Sequence, residues 1–446
     1  MTALEPRLRR ELSERAGEVQ RPAGLPAALG TAVARRRRRD RLGLGVAVVT
    51  LLALAATGVA LRLSGDESST PLVTGPDGGA DTAADGWAPM ADGPLPAVDQ
   101  PIAATLGDEV VLMGGGPACP ASASCGPPSW NGSTAAAAYD PVADTWRSIA
   151  PLPHTVDEAR TVVFDGRLYV WAWYWCNEAE EACDGSSNGY ADAFWAYDPD
   201  ADAWEVLSPP PEGTADASRD DAFGLTTDGR RAIAFASIRA GDEQDVAYDP
   251  AGDDWSPLPV DSLRPSSPRT VVGVGRDLYL FATDDADPTD TQVAVLRDGA
   301  PSWVTLAPSP ALADPYWYGI GWYRVGDLVV RPSPGPPDAD PRRATTSTGI
   351  FDTAANAWDS APPRPPDPPP YDTAVLRPVA GERLVEVAGY VLDASRGTWT
   401  PLPQTDLLAD GGAAGAWVGN TLVMWGGAES LDATASDRGA TWKPSP

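Results

Sequence analysis

The nine residues AYDPVADTW, at positions 138–146, return with the same internal spacing along most of this 446-residue chain. In five copies an Asp precedes a Trp by six positions, as Asp140 precedes Trp146, and in two further copies the spacing is five positions. A turn residue and an aromatic residue at a fixed distance, repeated about every fifty residues, are typical of a repeat architecture. The repeat tryptophans are Trp146, Trp204, Trp255, Trp303, Trp358 and Trp399.

Each copy contains residue types that end one strand and begin another. The Asp carboxylate can accept a hydrogen bond from the backbone two residues later, and the Pro that follows it sets φ for a turn. Upstream of this turn, two apolar stretches flank a Gly-containing pair, as in TVVFDGRLYVW at 161–171, which is the pattern of a β-hairpin. Each unit therefore predicts four antiparallel strands, and seven such units fill residues 87–446.

These units resemble kelch-type repeats, whose length is about fifty residues and whose fold is a β-propeller. The resemblance covers residues 87–446 and implies an all-β, seven-bladed, kelch-like propeller. The Gly-Gly pair that usually ends the second kelch strand is present only at 114–115 and 426–427, which weakens the transfer of a kelch partner. Two segments compete for the outermost strand that closes the ring, residues 87–96 and the segment around Trp442.

The N-terminal part has a different composition. Residues 1–41 form an Arg-rich tail, and the arginines at 35–39 precede the uncharged stretch 42–61, which is long enough to cross a bilayer as one helix. Because the basic residues precede this stretch, the positive-inside rule predicts a cytoplasmic N-terminus. Cleavage of the apolar stretch as a signal peptide is the alternative. Residues 62–86 are small and polar, and they predict a flexible linker.

Charge changes along the chain in the same region. Residues 1–63 carry 12 arginines and 5 acidic residues, whereas residues 64–446 carry 21 basic and 57 acidic residues. We therefore expect a single-pass cell-membrane protein that contacts the lipid bilayer through residues 42–61 and holds its propeller outside the cytoplasm. So acidic a propeller disfavours nucleic acid as a partner and favours cationic ligands. A single lysine, Lys443, and abundant Ala, Arg, Gly and Pro indicate a GC-rich bacterial source, and the Arg-rich tail resembles membrane-anchored actinobacterial proteins.

The four cysteines form two close pairs, each after the second strand of a unit. Five residues separate Cys119 from Cys125, and six separate Cys176 from Cys183. Outside the cytoplasm, a disulfide within each pair is the simplest of the three possible pairings. A four-cysteine zinc site is the alternative, although its usual spacers are two to four residues long.

Few residues are suited to catalysis. The chain has one histidine, His154, whereas the copper-radical oxidases that resemble this architecture need two, so that activity is excluded. Residues 435–442 resemble the Asp-box turn of sialidase-type propellers, except that Ala435 replaces a Ser or Thr. The acidic stretch 284–290 offers oxygen ligands for calcium but lacks the glycine and terminal glutamate of an EF-hand. We expect no catalytic residues and no cofactor, with calcium as an alternative, and a glycan hydrolase or lyase as the rival class.

Aromatic residues are the better ligand candidates. Tyr316, Tyr318 and Trp322 fall on one face of a predicted strand, where they either pack between blades or form a platform for a sugar or peptide. A second set with the same two explanations is Trp171, Trp173 and Trp175. The sequence thus predicts a non-catalytic binding domain for a glycan or protein ligand, or else a sensing ectodomain coupled to the cytoplasmic tail. A carboxylate pair in the central funnel would favour the enzyme, and an exposed aromatic patch there would favour the binding domain.

Overall fold

The chain divides into a unit of residues 1–80 and a compact unit of residues 81–446. A computed structural model describes residues 86–119, 132–156, 158–175, 190–211, 214, 223–237, 244–261, 263, 266–284, 291–308, 321–332, 349–360, 378–387, 389–409, 411–429 and 434–444. None of these residues lies in a helix long and apolar enough to cross a membrane. The apolar stretch 42–61 is outside the described residues, so its membrane span stays a prediction.

The described residues form thirty β-strands. In chain order they are β1 (Trp87–Pro89), β2 (Ile102–Leu106), β3 (Glu109–Met113), β4 (Ala136–Asp140), β5 (Thr145–Ser148), β6 (Glu158–Phe164), β7 (Arg167–Trp175), β8 (Tyr190–Asp198), β9 (Ala203–Leu207), β10 (Phe223–Thr227), β11 (Ala232–Ala236), β12 (Val246–Asp249), β13 (Asp254–Pro257), β14 (Ser266–Val274), β15 (Asp277–Asp284), β16 (Thr291–Leu296), β17 (Val304–Thr305), β18 (Tyr323–Val325), β19 (Leu328–Arg331), β20 (Gly349–Asp352), β21 (Ala357–Ser360), β22 (Val379–Ala380), β23 (Leu384–Val387), β24 (Tyr390–Asp393), β25 (Thr398–Pro401), β26 (Ala414–Val418), β27 (Thr421–Trp425), β28 (Ala428–Glu429), β29 (Thr434–Ala435) and β30 (Gly439–Trp442).

Twenty-eight of these strands make seven four-stranded antiparallel sheets, and β28 and β29 form a separate hairpin. Blades 1 to 6 take consecutive strands, from β2–β5 in blade 1 to β22–β25 in blade 6, and blade 7 has the order β26-β27-β30-β1. The first strands of the blades contact one another in a closed cycle from β2 through β6, β10, β14, β18, β22 and β26 back to β2. This cycle is the centre of a ring, so the predicted all-β, seven-bladed propeller is confirmed.

The core lies between neighbouring blades. Along β7 the side chains alternate, because successive residues of a strand point to opposite faces of the sheet. Val170 and Ala172 join a buried cluster shared with blade 1, whereas Tyr169, Trp171 and Trp173 join a cluster shared with blade 3. Both faces of a blade are therefore covered, which explains why its middle strands read as continuous apolar runs.

The ring closes across the two ends of the described chain. β1 pairs with β30 in antiparallel register, with Trp87 opposite Trp442, and β30 in turn pairs with β27. Both segments that competed for the closing position therefore have a place in blade 7. β30 is its third strand and β1 is its outermost strand, and the Trp87 side chain is buried.

The two Gly-Gly pairs lie where the N-terminal segment crosses between blades 1 and 7. Gly427 donates a backbone hydrogen bond to the Val98 carbonyl at 2.9 Å, and Gly116, next to the other pair, donates to the Asp99 carbonyl at 2.9 Å. Gly115 has a φ of +83°, and a Cβ there would approach the same Asp99 carbonyl to 2.9 Å. Only glycine combines that φ with so close a backbone approach.

Candidate functional site

The two ends of the propeller carry connections of very different length. Because the strands of a blade are antiparallel, connections from the first to the second and from the third to the fourth strand leave one end, and all others leave the opposite end. At the first end they are two to four residues long, except for residues 297–303. At the opposite end every connection except residues 388–389 has six residues or more, and the longest is 114–135. We call these ends the short-turn face and the long-loop face.

Negative charge is concentrated in the long-loop connections. By sequence they contain 28 acidic and 8 basic residues, whereas the short-turn connections contain 10 acidic and 6 basic residues. On the short-turn face the arginines are paired locally, as Arg230 is with Asp298 at 2.5 Å and Arg297 with Asp277 at 2.6 Å. The long-loop face therefore carries most of the uncompensated charge of the propeller.

Most of the repeat tryptophans join their own blade to the one before it. Trp204 donates its indole N–H to the Ala150 carbonyl at 2.9 Å, and the Ala150 N–H donates to the Asp202 carboxylate at 2.9 Å. Asp202 also accepts the Tyr197 hydroxyl at 2.8 Å. Equivalent indole bonds run from Trp146, Trp255, Trp303 and Trp358 to the carbonyls of Ala91, Ser208, Pro259 and Ala307. Trp399 packs edge-on against Tyr390.

In each of these bonds the acceptor lies four residues after the repeat Trp of the preceding blade. Trp87 follows the same rule, since it donates to the Pro403 carbonyl at 2.9 Å, four residues after Trp399. The N-terminal strand thus supplies the repeat tryptophan of blade 7. These side chains have a structural role, and the ligand site has to be sought elsewhere.

Of the predicted aromatic platform, the structure describes Trp322. This side chain is 6% exposed, stacks on Phe281 at a centroid distance of 4.3 Å and meets Trp358 edge-on at 5.6 Å. Trp322 therefore packs between blades and offers little surface to a ligand. Tyr316 and Tyr318 lie outside the described residues, so the platform as a whole stays a prediction.

The predicted cysteine pairing and calcium site fall mostly outside the described residues. Cys119 is described and is not a free thiol, whereas Cys125, Cys176 and Cys183 are not described, so the pairing stays a prediction. Of the acidic stretch 284–290 only the backbone of Asp284 is described. Within the described ranges, no group of three or more His, Cys, Asp or Glu side chains is placed to hold a metal ion.

Polar and aromatic side chains meet at the long-loop end of blade 2, where this blade packs on blade 3. Strand register aligns Glu158, Trp173 and Asp192 in one row across β6, β7 and β8. The next row contains Arg160 and Trp171, and Phe223 reaches both rows from β10 of blade 3. We call these six residues the blade-2 cluster.

The aromatic part of the cluster is well packed. Phe223 lies 4.6 Å from both indoles, stacked on Trp173 and edge-on to Trp171, and the Arg160 guanidinium lies 4.4 Å above its ring. Arg160 also donates to Glu158 at 2.7 Å and to the Phe223 carbonyl at 3.2 Å. Packing between blades therefore accounts for the rings of both tryptophans, and Trp175 has no described side chain.

The polar atoms of the two indoles have no such explanation. Their Nε1–H groups are buried, and neither completes a hydrogen bond of ordinary geometry. The nearby Asp192 carboxylate has one side in solvent, yet the packing around it removes enough water to raise its pKa to about 6, while the indole N–H groups of Trp173 and Trp171 oppose that shift. A carboxylate and two buried donors are thus close together without completing hydrogen bonds.

The comparisons with known proteins bear on the fold. The Kelch-like protein terF of Aspergillus terreus (strain NIH 2624 / FGSC A1156) is 25% identical to this chain over 341 residues, 72% of this chain and 67% of that protein. Together with the repeat geometry, this relative supports a kelch-type propeller. A solved structure titled "Structure of YjhT" is 15% identical, covers 78% of this chain and 95% of its own, and has a TM-score of 0.39. No protein-family profile matches the chain.

The comparisons do not support the membrane anchor, the actinobacterial source, the location outside the cytoplasm or the recognition of a glycan. The blade-2 cluster, in turn, was only partly visible in the sequence. The alternating tryptophans of the kelch-type blade 2 predicted one shared face, but Glu158, Arg160 and Asp192 carried no signal of their own. Asp192 lies opposite Trp173 because of the register in which β8 pairs with β7 after the connection 176–189. The composition of that connection does not encode the register.

Proposed function

We propose that this chain is a non-catalytic binding protein, anchored in the cell membrane through residues 42–61, whose propeller recognises a protein outside the cytoplasm through its long-loop face. The observation that carries this proposal is the difference between the two faces. The coarser statement, a kelch-type propeller that serves as a binding domain, is supported by the Kelch-like relative. A glycan is the alternative ligand on the same face.

Folding does not require long connections on one face. Blade 6 joins its second and third strands through residues 388–389 alone, and its four strands still pair in full order. The corresponding connections of blades 1 and 5, residues 114–135 and 332–348, are many times longer. Binding residues are commonly carried by loops on a rigid scaffold, and this excess of chain on one face supports such a role.

Charge indicates the kind of partner. The long-loop connections carry 28 acidic residues against 8 basic ones, so their field attracts a basic surface and repels an acidic one. We expect association with the partner to slow and weaken as salt is added, because exposed charges are screened over about 8 Å at physiological ionic strength. An acidic polymer is disfavoured as a ligand by the same argument.

Photo-crosslinking in intact cells tests the proposal. A photoreactive phenylalanine analogue replaces Gln404, which is exposed on the long-loop connection 402–413, and as the matched control it replaces Asn420, which is exposed on a short turn. Crosslinking of a protein from position 404 and not from position 420 is the expected result. Equal crosslinking from both positions, or from position 420 alone, would refute the assignment of the face.

A further inference from the structure

We propose that Asp192 anchors a cationic side chain, a lysine ammonium or an arginine guanidinium, of the protein that the long-loop face binds. This inference rests on the proposed function and gives it a specific contact. Three features support it: two buried donors of the blade-2 cluster without completed hydrogen bonds, a carboxylate of the same cluster without a cation, and the charge of the neighbouring connections.

The two indole N–H groups are the first observation. Trp171 and Trp173 are at least nine-tenths buried, and neither Nε1 atom has a partner at ordinary hydrogen-bond geometry. Buried donors are paired in the great majority of folded proteins, so an unpaired one needs an explanation. Both indole N–H groups oppose the rise in the pKa of the Asp192 carboxyl, so this carboxylate is the acceptor within their reach.

The charge state of the cluster is the second observation. Arg160 is already engaged, because it pairs with Glu158 at 2.7 Å and its guanidinium lies over the Phe223 ring. Among the described residues no Lys or Arg side chain pairs with Asp192. An ionised carboxylate has about four acceptor sites, so it can take both indole N–H groups on its buried side and still accept a cation from solvent.

A cation bound at the exposed side would stabilise the ionised form of Asp192. The ionised form is also the one that accepts from Trp171 and Trp173, so a ligand cation and the two indole N–H groups would favour the same charged form of this carboxyl. Charge-assisted hydrogen bonds of this kind are roughly twice as strong as neutral ones.

The neighbouring connections are the third observation. By sequence, residues 176–189 carry four acidic residues and no basic one, and residues 208–222 carry four acidic residues and one arginine. They flank β8 and β10, the strands that contribute Asp192 and Phe223. Their field favours a cation at Asp192 and opposes a carboxylate or phosphate.

A binding measurement on the full-length chain in detergent tests the anchor. The probe is a fluorescent peptide with four lysines, and the reference probe has norleucine at the same four positions. Asp192→Asn removes the charge of the anchor, and Asp200→Asn removes one charge from an exposed short turn of the same blade. We expect Asp192→Asn to weaken the lysine peptide tenfold or more and Asp200→Asn to weaken it less than twofold. Equal weakening by both variants, or equal binding of both peptides, would overturn the proposal.

A second variant checks the role of the indoles. Trp173→Phe keeps a ring against Phe223 and removes the N–H group, so its affinity for the lysine peptide should fall at least threefold. In wild type, nuclear magnetic resonance should show the indole proton of Trp173 moving downfield as the lysine peptide saturates the protein. An unmoved indole proton, together with unchanged affinity in Trp173→Phe, would contradict the geometry.

The failure of the anchor and the failure of the proposed function can be told apart. If position 404 crosslinks to a protein and Asp192→Asn binds lysine peptides like wild type, only the anchor is wrong. If position 404 captures no protein while lysine peptides bind in an Asp192-dependent manner, the cation site stands and the protein-binding function is wrong.

Discussion

Replacing Arg269 with methionine should destabilise the propeller more than breaking an exposed ion pair does. Arg269 is 2% exposed, forms an ion pair with Asp245 and lies 3.3 Å from Asp261. Burial alone would lower the pKa of its guanidinium, but the two carboxylates reverse that shift and hold the group charged. Asp245 precedes β12 of blade 3, and Asp261 lies in the connection from blade 3 to blade 4. The three charges therefore join these two blades.

The size of the effect follows from the burial. Arg269→Met leaves two nearly buried carboxylates without their cation, and breaking a buried pair in this way costs about 3–5 kcal/mol. The compact unit spans residues 81–446, and unfolding entropies are about 2.1 cal/mol/K per residue near 60 °C. A loss of that size therefore corresponds to a decrease in Tm of about 4–7 °C.

An exposed pair provides the matched control. Arg147 contacts Glu109 at 2.6 Å, but 43% and 31% of their side chains are exposed. Such a pair contributes about 0–1 kcal/mol, so Arg147→Met should lower Tm by about 1 °C or less. Scanning calorimetry on both variants of the full-length chain measures the difference. Equal decreases in Tm would refute the argument that burial of the Arg269 ion pair sets its contribution.

Three further predictions can be checked separately. Burial raises the pKa of Asp99 in the folded state. The contribution of Asp99 to stability is therefore present at low pH and is lost as the pH rises through that pKa. In thermal melts, Asp99→Asn should raise Tm at pH 7 and should make Tm depend less on pH. A membrane-impermeant amine reagent should label Lys443, the only lysine, in intact cells and should not label the Lys443→Arg variant there. Labelling of Lys443 only after lysis would place the propeller in the cytoplasm. Peptide mapping without reduction should find Cys119 bonded to Cys125 and Cys176 to Cys183, and free thiols or a bound zinc ion would contradict that pairing.

Local features of the fold were predictable because their interactions span few residues. In the five repeat turns with six-position spacing, the Asp carboxylate accepts from backbone two or three residues later, as Asp140 accepts from the Val142 N–H at 2.8 Å. Because the turn and the strand after it lie within a few residues, the spacing from Asp to Trp reliably indicates a pair of strands. Together with the upstream hairpin this pair makes a four-stranded unit, and the number of such units predicts a ring of seven.

The candidate site depends on contacts that no short window of sequence contains. Asp192 lies opposite Trp173 on the neighbouring strand, and Phe223 comes from the next blade. Strand alternation placed Trp322 on a shared face with Tyr316 and Tyr318, but alternation alone does not say whether a face is covered by a neighbouring blade. In the structure Trp322 stacks on Phe281. This contact joins two repeats, so the pattern within one repeat does not predict it.

The closing segment shows how the two kinds of contact combine. Trp87 pairs with Trp442 in blade 7 and donates to Pro403, at the end of blade 6. A few residues later Ala91 accepts the indole N–H of Trp146, so the same segment also holds blade 1. Blades 6, 7 and 1 are thus joined by noncovalent contacts of one short stretch, which directly follows the predicted linker 62–86. In an anchored chain, tension along the linker would therefore act first on the strand that closes the ring.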